Sequence, residues 1–537
     1  MRGRINDYLR VIIGWGITIL GQLLSGLQLL RMLVFSLNQK RLKRKYGITR
    51  ETPVLPYDPA IVQSRKDVRL AQTSGSTGEP KCIPYTRRRL LALKLTFSDM
   101  FVRACYAFGI KRTCLYVFSS FETDASLTSL LLDENRLPNY LSSLQAPYRL
   151  QHCPAIRALV SKYGTSAVRL WMLAISNPGV LYSTNPSTIS TFLDELARDW
   201  RQSSKLIRDW RQDRTTLDSN VRRIARRIES RGCEQRLKQI ATSDLPLPLS
   251  MYAPAVEAYI CWTGGYVKPF LDRLAAHLPP PQYRLIPMYS MSTETIETLP
   301  YFRGEDVAFL PIAPGVLYEF LNDSDHFVTT QRLEPGKLYA MVVSDAYGLR
   351  RYQTDDLFLC KRKVNGMPDL DFMRRRRLEY SFTGEKLTAE QLSAVFEQLR
   401  EMYPALVADR FLTCVPSQSV HEAPHYQVLL IGDRRMQTSH ELLAARCDEL
   451  LSEINCEYRS KRTSGRLGPV RVMEVGTKEF AASFAGRGQW ETQFKLLPLY
   501  VSHKGAKELL AAKTRQAHYR RSRASVDVLS PGTFRDW

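Results

Sequence analysis

The chain begins with a long apolar segment, and the remainder alternates short apolar runs with amphipathic stretches. Residues 11–30 contain no charged side chain. As a helix this segment would be about 30 Å long, enough to cross the hydrocarbon core of a bilayer. From Val68 onward, short apolar runs alternate with longer helical patterns, which predicts an α/β fold. The pattern restarts after residue 380, which predicts a small, separate α+β domain.

These patterns predict four parts in order along the chain. They are an N-terminal hydrophobic membrane anchor with a basic flank (1–45), a large multi-sheet α/β domain (46–380), a small C-terminal α+β domain (381–505) and a basic tail (506–537). Within the small domain we expect a helix over 388–402, a strand over 426–431, a helix over 438–454 and a strand over 470–475. The charged run at 187–240 is typical of helices with one solvated face.

Three interpretations of the N-terminal segment stay open. A spanning helix fits the length of the uncharged stretch. A helix lying in the membrane interface fits the partial amphipathicity given by a stripe of small and polar residues: Gly14, Thr18, Gly21, Gln22 and Ser25. A buried core helix is the third. The basic residues that follow favour a retained anchor, with the rest of the chain facing the cytoplasm.

Charge and cysteine content narrow the classes of partner and compartment. The 537 residues include 76 Lys and Arg against 53 Asp and Glu, a net charge of +23. Such an excess favours a polyanionic partner: nucleic acid, an anionic membrane or a phosphorylated substrate. The ten cysteines form no C-x-x-C pair, which favours reduced thiols in a cytosol-facing protein. No zinc-binding spacing of His and Cys occurs, so nothing supports a metal hydrolase.

The most informative local string is T-S-G-S-T-G-E-P-K at residues 73–81. It lies between a strand-like run at 68–72 and a helical pattern from residue 87. Glycines and small hydroxyl residues allow backbone N–H groups and hydroxyls to surround a phosphate. The spacing is not that of the P-loop of common nucleotide hydrolases. A plain surface loop is the alternative.

This string resembles the signature loop of the acyl-adenylate-forming superfamily, which activates carboxylic acids with ATP. Four further strings that are similar to the superfamily's motifs follow in order: Tyr289-Ser-Met-Ser-Thr-Glu294, Leu349-Arg-Arg-Tyr-Gln-Thr-Asp-Asp356, Phe372-Met-Arg-Arg375 with Ser381-Phe-Thr-Gly-Glu-Lys386, and Gln493-Phe494-Lys495. Two positions depart from the superfamily pattern, since Asp355 and Arg374 stand where glycine is usual.

The resemblance implies a role for each matching position. It implies nucleotide contacts at Thr73, Ser74, Gly75, Ser76, Thr77, Gly78, Lys81, Tyr289, Thr293, Asp356 and Arg375. It also implies that Glu294 helps to hold Mg²⁺, that Asp356 binds the ribose hydroxyls, and that Lys495 reaches the carboxylate and α-phosphate. The residues alone leave other roles open: Glu294 as a helix cap, Asp356 at the end of a strand, and Lys495 as a surface lysine.

Three further strings are similar to one branch, the auxin-responsive acyl-acid amido synthetase family. They are Cys261-Trp-Thr-Gly-Gly265, Asn185-Pro-Ser-Thr188, and Tyr458-Arg with Gly465-Arg-Leu-Gly-Pro469. The resemblance spans residues 70 to 500. It implies a ligase that uses ATP and Mg²⁺ to convert a carboxylic acid into an acyl-AMP and then joins it to an amine or amino acid. The small domain would reorient about the hinge between the two steps.

Two other functions fit the same strings. One is transfer of the acyl group to a thiol, as in acyl-CoA ligases, and the other is a non-catalytic nucleotide-binding scaffold at a membrane. Membrane attachment through residues 11–30 suggests a lipophilic substrate. Nucleic acid is not an expected partner, because no recognition motif accompanies the basic charge.

Overall fold

The computed structural model describes residues 2–55, 68–72, 82–119, 121, 127–132, 145–213, 217–376, 378–383, 385–404, 410–419, 422–433, 439–484 and 496–501. The chain divides into two compact units. Unit one comprises 1–74, 80–377 and 491–495, and unit two comprises 75–79, 378–490 and 496–537.

Unit one combines helices with several sheets. Its helices in the described ranges are α1 Arg2–Gly26, α2 Gln28–Lys45, α3 Arg87–Ala107, α4 Leu127–Leu132, α5 Pro154–Tyr163, α6 Thr165–Ser176, α7 Pro186–Arg198, α8 Trp200–Ser203, α9 Lys205–Gln212, α10 Ser219–Ile228, α11 Cys233–Thr242, α12 Leu249–Tyr252 and α13 Lys268–His277. Its strands are β1 Val68–Gln72, β2 Cys82–Thr86, β3 Leu115–Val117, β4 Val180–Tyr182, β5 Ala258–Cys261, β6 Arg284–Pro287, β7 Leu299–Arg303, β8 Asp306–Leu310, β9 Leu317–Leu321, β10 Phe327–Thr329, β11 Leu338–Ser344, β12 Tyr352–Val364 and β13 Met367–Arg375.

A parallel sheet in the order β3-β4-β5-β6 forms the centre of unit one. Because successive side chains of a strand point to opposite faces, each strand supplies two hydrophobic clusters. Leu115 and Val117 of β3 join one cluster, whereas Tyr116 joins the other. Helix α6 packs in the second cluster and is buried from Ala167 to Ser176. Both faces of the sheet are therefore covered, as expected of parallel strands in an α/β fold.

An antiparallel sheet in the order β10-β9-β11-β12-β13 lies in the same unit. Buried and partly exposed residues alternate along most of β12, so one face packs on the core. Strands β1 and β2 form a hairpin in which Gln72 pairs with Cys82. The string at 73–81 connects these two strands and lies outside the described residues.

Helices α1 and α2 form the N-terminal part of unit one. By length and composition, the helix Gly3–Gly26 is long and apolar enough to cross a membrane. Length and composition do not by themselves distinguish a spanning helix from other apolar helices. Helix α2 begins after a break at Leu27 and packs through Met32 and Phe35 into the core.

Unit two is a small α+β assembly. Its elements are β14 Glu379–Tyr380, β15 Leu387–Thr388, α14 Ala389–Met402, β16 Phe411–Ser419, β17 Glu422–Ile431, α15 His440–Ile454, α16 Cys456–Thr463, β18 Arg471–Val475 and α17 Thr477–Phe484. Strand β17 pairs antiparallel with β16 and parallel with β18. The predicted helices over 388–402 and 438–454 and the predicted strand over 470–475 are confirmed within two residues. The predicted strand over 426–431 begins four residues earlier, because Glu422 to His425 also pair with β16.

One residue of β12 adopts a backbone conformation that favours glycine. Asp355 has a φ of 60°. Its carboxylate accepts a hydrogen bond from the Gln353 side chain at 3.0 Å, and its carbonyl accepts one from the Arg376 N–H at 2.6 Å. An aspartate tolerates this region better than most residues because its short polar side chain bonds locally. The superfamily pattern has glycine at this position, and glycine adopts such a positive φ without strain.

Replacing Asp355 by glycine is expected to raise the free energy of unfolding by about 0.5–1 kcal/mol, because it removes left-handed strain. Asp355→Ala should lower it by a similar amount, since alanine keeps the strain and loses the bond to Gln353. Urea unfolding of the full chain measures both. Asp323→Gly, in an exposed turn, is the control. Equal destabilisation by glycine and alanine at position 355 would show that strain is absent there.

Candidate active site

Three of the predicted motifs lie at one edge of the parallel sheet. Asn185 follows β4, Trp262 follows β5 and Tyr289 follows β6, each within three residues of the strand's end. The carboxyl ends of parallel strands meet at the same edge, where α/β sheets usually bind ligands. The backbone confirms this proximity for the first two motifs, since the Trp262 N–H donates to the Thr184 carbonyl at 3.1 Å.

The Asn185-Pro-Ser-Thr188 string begins helix α7. The Asn185 side chain accepts a hydrogen bond from the Ser187 N–H at 3.1 Å, and Pro186 occupies the first helical position. Both choices are typical of helix starts. The string thus fixes the beginning of a helix at the sheet edge.

The Cys261-Trp-Thr-Gly-Gly265 string packs against β13. The Trp262 ring lies 5.2 Å from the Phe372 ring. Gly265 has a φ of 67°, and a Cβ added there would lie 2.9 Å from the Phe372 ring. Glycine is therefore required at this position for both conformation and space. Burial raises the pKa of the Cys261 thiol, which makes it a poor nucleophile.

Thr293 and Glu294 form the tip of a tight hairpin after β6. Met291 bridges to Ile296, and the Ser292 N–H donates to the Thr295 carbonyl at 3.0 Å. Glu294 is therefore in a hairpin turn, which rules out the helix-cap alternative. Its buried carboxylate accepts a hydrogen bond from the Tyr352 hydroxyl at 3.2 Å.

Two residues of the β2–α3 segment hold this hairpin tip. The Tyr85 hydroxyl donates to the Thr293 carbonyl at 2.7 Å, and the Arg89 guanidinium donates to the Glu294 carbonyl. Burial raises the pKa of Tyr85 to about 12, so the phenol stays protonated and can donate.

The guanidinium of the buried Arg89 contacts five of the described residues. Besides Glu294, it donates to the Pro84 carbonyl at 3.0 Å and pairs with the Asp345 carboxylate at 3.7 Å. Its guanidinium also lies over two rings, those of Tyr85 at 4.4 Å and Tyr347 at 5.2 Å. Burial raises the pKa of Asp345, and the charge of Arg89 opposes that shift.

Strands β12 and β13 contribute a carboxylate and a guanidinium. Asp356 is paired in register with Arg375, and the Arg375 Nε lies 3.3 Å from the Asp356 carboxylate. Asp356 is buried and lies inside β12, so the alternative of a residue ending a strand is wrong. Of the two arginines in the run 374–377 whose side chains the structure describes, Arg375 pairs with Asp356 and Arg376 with Asp325.

The two carboxylates, the phenol and the guanidinium form one electrostatic cluster. The Asp356 carboxylate is the main cause of a raised pKa at Arg375; burial opposes this shift, and the charge of Glu294 adds to it. Burial raises the pKa of Tyr352, with the charge of Glu294 as the next cause. This set of residues, Glu294, Tyr352, Asp356 and Arg375, is called the acidic cluster below. The acidic cluster combines the two buried carboxylates of Glu294 and Asp356 with the guanidinium of Arg375.

The structure thus brings Thr293, Glu294, Asp356 and Arg375 together. It places Tyr289 in the hydrophobic core of unit one, where burial raises the pKa of its hydroxyl. The positions Thr73 to Gly78, Lys81 and Lys495 lie outside the described residues. Their roles stay predictions.

Two motifs of unit two have internal partners. Glu385 accepts hydrogen bonds from the N–H groups of Phe382 and Thr383 and from the Tyr426 hydroxyl, at 2.6–2.8 Å. Burial acts to raise the pKa of Glu385, but these donors hold it below its usual value. Tyr458 donates to Asp448. Both strings therefore organise turns and helix packing within unit two.

The residues present are compatible with Mg²⁺ only as a partner of bound phosphates. Across the described ranges, no group of three or more His, Cys, Asp or Glu side chains is placed to hold a metal ion. Mg²⁺ is commonly held by one or two carboxylates together with substrate phosphates. Glu294 provides one buried carboxylate of this kind.

Sequence reasoning missed Tyr85, Arg89, Asp345 and Tyr352 as contributors to the site. Tyr352 lies within a predicted motif, and its position between Arg351 and Asp356 could have drawn attention to it. Arg89 is one of three consecutive arginines, and its neighbours Arg87 and Arg88 are exposed. Only the start of α3 at residue 87, capped by Thr86, decides which of the three faces inward.

Comparison with protein families gives three consecutive matches. The GH3 family N-terminal domain matches residues 58–281, the GH3 family central domain matches 309–375, and the GH3 family C-terminal domain matches 390–504. Together they cover about three quarters of the chain.

Individual relatives and solved structures agree with these matches. The chain is 25% identical over 241 residues to an indole-3-acetic acid-amido synthetase of Arabidopsis thaliana, covering 42% of this chain and 40% of the relative. It is 27% identical over 227 residues to a jasmonoyl–L-amino acid synthetase of Oryza sativa subsp. japonica, covering 39% and 38%. The chain therefore spans about two fifths of the length of these relatives.

A solved acyl acid amido synthetase in complex with 2,4-DB aligns with a TM-score of 0.65 at 18% identity, over 89% of this chain and 86% of that one. This likeness confirms the predicted α/β fold, with its N-terminal and C-terminal domains. The three domain matches occur in the order expected from the sequence motifs, and the chain belongs to the GH3 family.

Proposed function

We propose that this protein is an ATP-dependent acyl-acid amido synthetase. It converts a carboxylic acid and ATP into an acyl-AMP and pyrophosphate, and then transfers the acyl group to an amine, with an amino acid as the expected acceptor. The observation that carries this proposal is the acidic cluster at the sheet edge, where a motif after β6 meets a motif on β12 and β13. The amide product is favoured by the Cys261-Trp-Thr-Gly-Gly265 string.

In the first half-reaction, a carboxylate oxygen of the acid attacks the α-phosphorus of ATP, and the bond from that phosphorus to the bridging oxygen of pyrophosphate breaks. Negative charge develops on the phosphorus oxygens, so the site must supply cations and fixed donors. Lys495 and the hydroxyl and amide groups of 73–78 would supply them. Mg²⁺, when bound beside Glu294, neutralises charge on the phosphates.

The nucleotide is held by the rest of the cluster. Asp356 presents a buried carboxylate that can accept hydrogen bonds from the ribose hydroxyls, and Arg375 pairs with that carboxylate and orients it. Thr293 and Lys81 would contact the phosphates. In the second half-reaction, the amine nitrogen attacks the acyl carbon, the bond from carbon to the AMP oxygen breaks, and the nitrogen loses a proton.

The substrate class and location follow from the N-terminal segment. We propose that the acid is lipophilic and that the enzyme works at a membrane, with its catalytic units facing the cytoplasm. All ten cysteines are free, which fits a reducing compartment.

ATP–pyrophosphate exchange measured with a panel of acids tests the first half-reaction. The panel includes indole-3-acetic acid, jasmonic acid, benzoates and a fatty acid. Asp356→Ala should weaken ATP binding, and Lys495→Ala should slow exchange about 10²- to 10³-fold, because each removes a group that faces developing charge or the nucleotide.

The matched controls are Asp323→Asn and Lys337→Ala, which change exposed side chains and should exchange like the wild type. Absence of exchange with every acid would contradict the proposal. Product analysis with amino acids or coenzyme A as acceptor distinguishes amide from thioester formation, and ATP binding without any turnover would indicate a scaffold instead.

Arg89 is a positioning residue in this proposal, because it holds the backbone of Glu294. Arg89→Met should lower the free energy of unfolding by about 3–5 kcal/mol, since the buried Asp345 carboxylate loses its cation. Adding Asp345→Asn should restore part of that loss. In the double variant, exchange should still fall about tenfold to a hundredfold because the Glu294 tip is no longer held.

Unfolding in urea and the exchange rate at saturating ATP are the two measurements. Arg88→Met is the control, since Arg88 is exposed on the same helix turn. If the double variant regains full exchange, the hairpin tip does not depend on Arg89.

A further inference from the structure

Helices α1 and α2 direct several polar side chains towards the rest of unit one. Four of these side chains, Asn6, Arg10, Gln28 and Gln39, hydrogen-bond to backbone groups of unit one. Asn6 bonds to the backbone of Glu229, and Arg10 bonds to those of Ser176 and Ile228. Gln28 bonds to the backbone of Phe302, and Gln39 bonds to those of Val316 and Tyr318. The distances are 2.6–3.4 Å. The contacts extend from the first turns of α1 almost to the end of α2, so both helices lie along the surface of unit one.

Small residues allow α1 to approach α3 closely. A Cβ added at Gly21 would lie 2.6 Å from the Val102 carbonyl oxygen, and one added at Gly14 would lie 3.2 Å from the Lys111 carbonyl oxygen. The backbone of α1 therefore rests directly on unit one. If α1 crossed a bilayer in this position, α3 and the C-terminal ends of α6 and α10, which bind Asn6 and Arg10, would enter hydrocarbon, which cannot hydrogen-bond their backbone groups.

The opposite side of the helix pair is apolar and exposed. We call it the outer face, and it comprises Ile5, Tyr8, Val11, Ile12, Trp15, Ile19, Leu20, Leu23, Leu27, Leu29, Leu30, Leu33, Val34 and Leu37. Trp15 is 72% exposed and Leu37 is 79% exposed. This face of the helix pair is mainly apolar, whereas Met32 and Phe35 of α2 pack inward into the core. A continuous apolar surface of this length marks an interaction site.

Positively charged side chains lie next to the outer face at the C-terminal end of α2. Residues 1–45 contain nine Lys and Arg and a single acidic residue, Asp7, which is bonded to Arg10 and to the Arg231 N–H. Arg41 and Arg44 are exposed and follow Leu37 at helical spacing, with Lys40 and Lys45 beside them. Between residues 11 and 37 the only charged side chain is Arg31, which pairs with Asp99.

We propose that the outer face docks this protein in the plane of an anionic lipid bilayer, with α1 and α2 lying at the interface and unit one outside the hydrocarbon. The exposed Leu, Ile, Val and Trp side chains enter the acyl-chain boundary, and the cations at the end of α2 bind the anionic headgroups. The face is about 50 Å long. A bilayer needs only apolar side chains and flanking cations, whereas a protein interface is normally bordered by polar groups that hydrogen-bond across it.

Flotation of the full chain with phosphatidylcholine vesicles, with and without phosphatidylserine, tests the proposal. The protein should float with both and bind more tightly to the vesicles that contain phosphatidylserine. The triple variant Trp15→Glu, Leu23→Glu, Leu30→Glu should bind at least about tenfold more weakly to both. The variant Arg41→Gln, Arg44→Gln should lose about fivefold per charge removed, only on phosphatidylserine vesicles.

The matched control is Leu245→Glu with Leu442→Glu, which changes exposed leucines that are not part of α1 or α2 and should float like the wild type. Circular dichroism and thermal unfolding verify that each variant is folded. Equal flotation of the triple variant and the control would overturn the proposal. So would a wild-type dimer that the triple variant converts to a monomer without any vesicle binding, because the face would then belong to a second copy.

Sidedness separates in-plane docking from a spanning helix. In sealed membranes from cells that make the full chain with an N-terminal epitope, added protease should remove the epitope and digest unit one from the same side. Protection of one and digestion of the other would overturn the in-plane geometry in favour of a span. These measurements do not depend on catalysis, so they can fail while the proposed ligase activity stands.

Discussion

The antiparallel pairing of β12 with β13 is the constraint on which the candidate active site depends. It places Asp356 opposite Arg375, and the first residue of β12, Tyr352, contacts Glu294. Because side chains alternate along a strand, a shift of one residue in this register would turn Asp356 away from Arg375. The left-handed backbone at Asp355 and the register shift between Leu357 and Phe358 belong to the same short segment. The pairing of Asp356 with Arg375 therefore depends on the local geometry of these two strands, whereas Glu294 comes from the hairpin after β6.

A second constraint connects this strand to the rest of unit one. Arg89 holds the carbonyl of Glu294 while its charge is balanced by Asp345, which follows β11. A buried guanidinium without a counter-ion is costly, so the Glu294 hairpin, the start of α3 and the end of β11 are fixed together. Packing then fixes the position of the Glu294 carboxylate, which also accepts a hydrogen bond from the Tyr352 hydroxyl. Preorganisation of this kind is what stabilisation of a charged transition state requires.

Hydrophobic patterning predicted the α/β class and the small α+β unit. The resemblance to the superfamily implied contacts with the nucleotide or Mg²⁺ for Glu294, Asp356 and Arg375, which the structure brings together. The sequence could not predict that Tyr289 packs in the core or that Arg89, rather than Arg87 or Arg88, faces inward. Those outcomes depend on which side of an element meets the core, and a run of similar residues does not record this. The departure from the superfamily pattern at Asp355 has a conformational explanation, because aspartate can occupy a backbone conformation in which most side chains are strained.

The N-terminal segment is a second case in which the sequence alone could not predict which side of a helix faces the protein. Its composition left a spanning helix, an interfacial helix and a buried core helix open, since hydropathy averages over all faces of a helix. Backbone groups of unit one accept hydrogen bonds from the side chains of Asn6, Arg10 and Gln28, which supports the proposed in-plane geometry over a span. A helix that binds the protein with its polar side has only its apolar side left for lipid. In the proposed in-plane geometry, the same two helices would attach unit one to the membrane and hold it there.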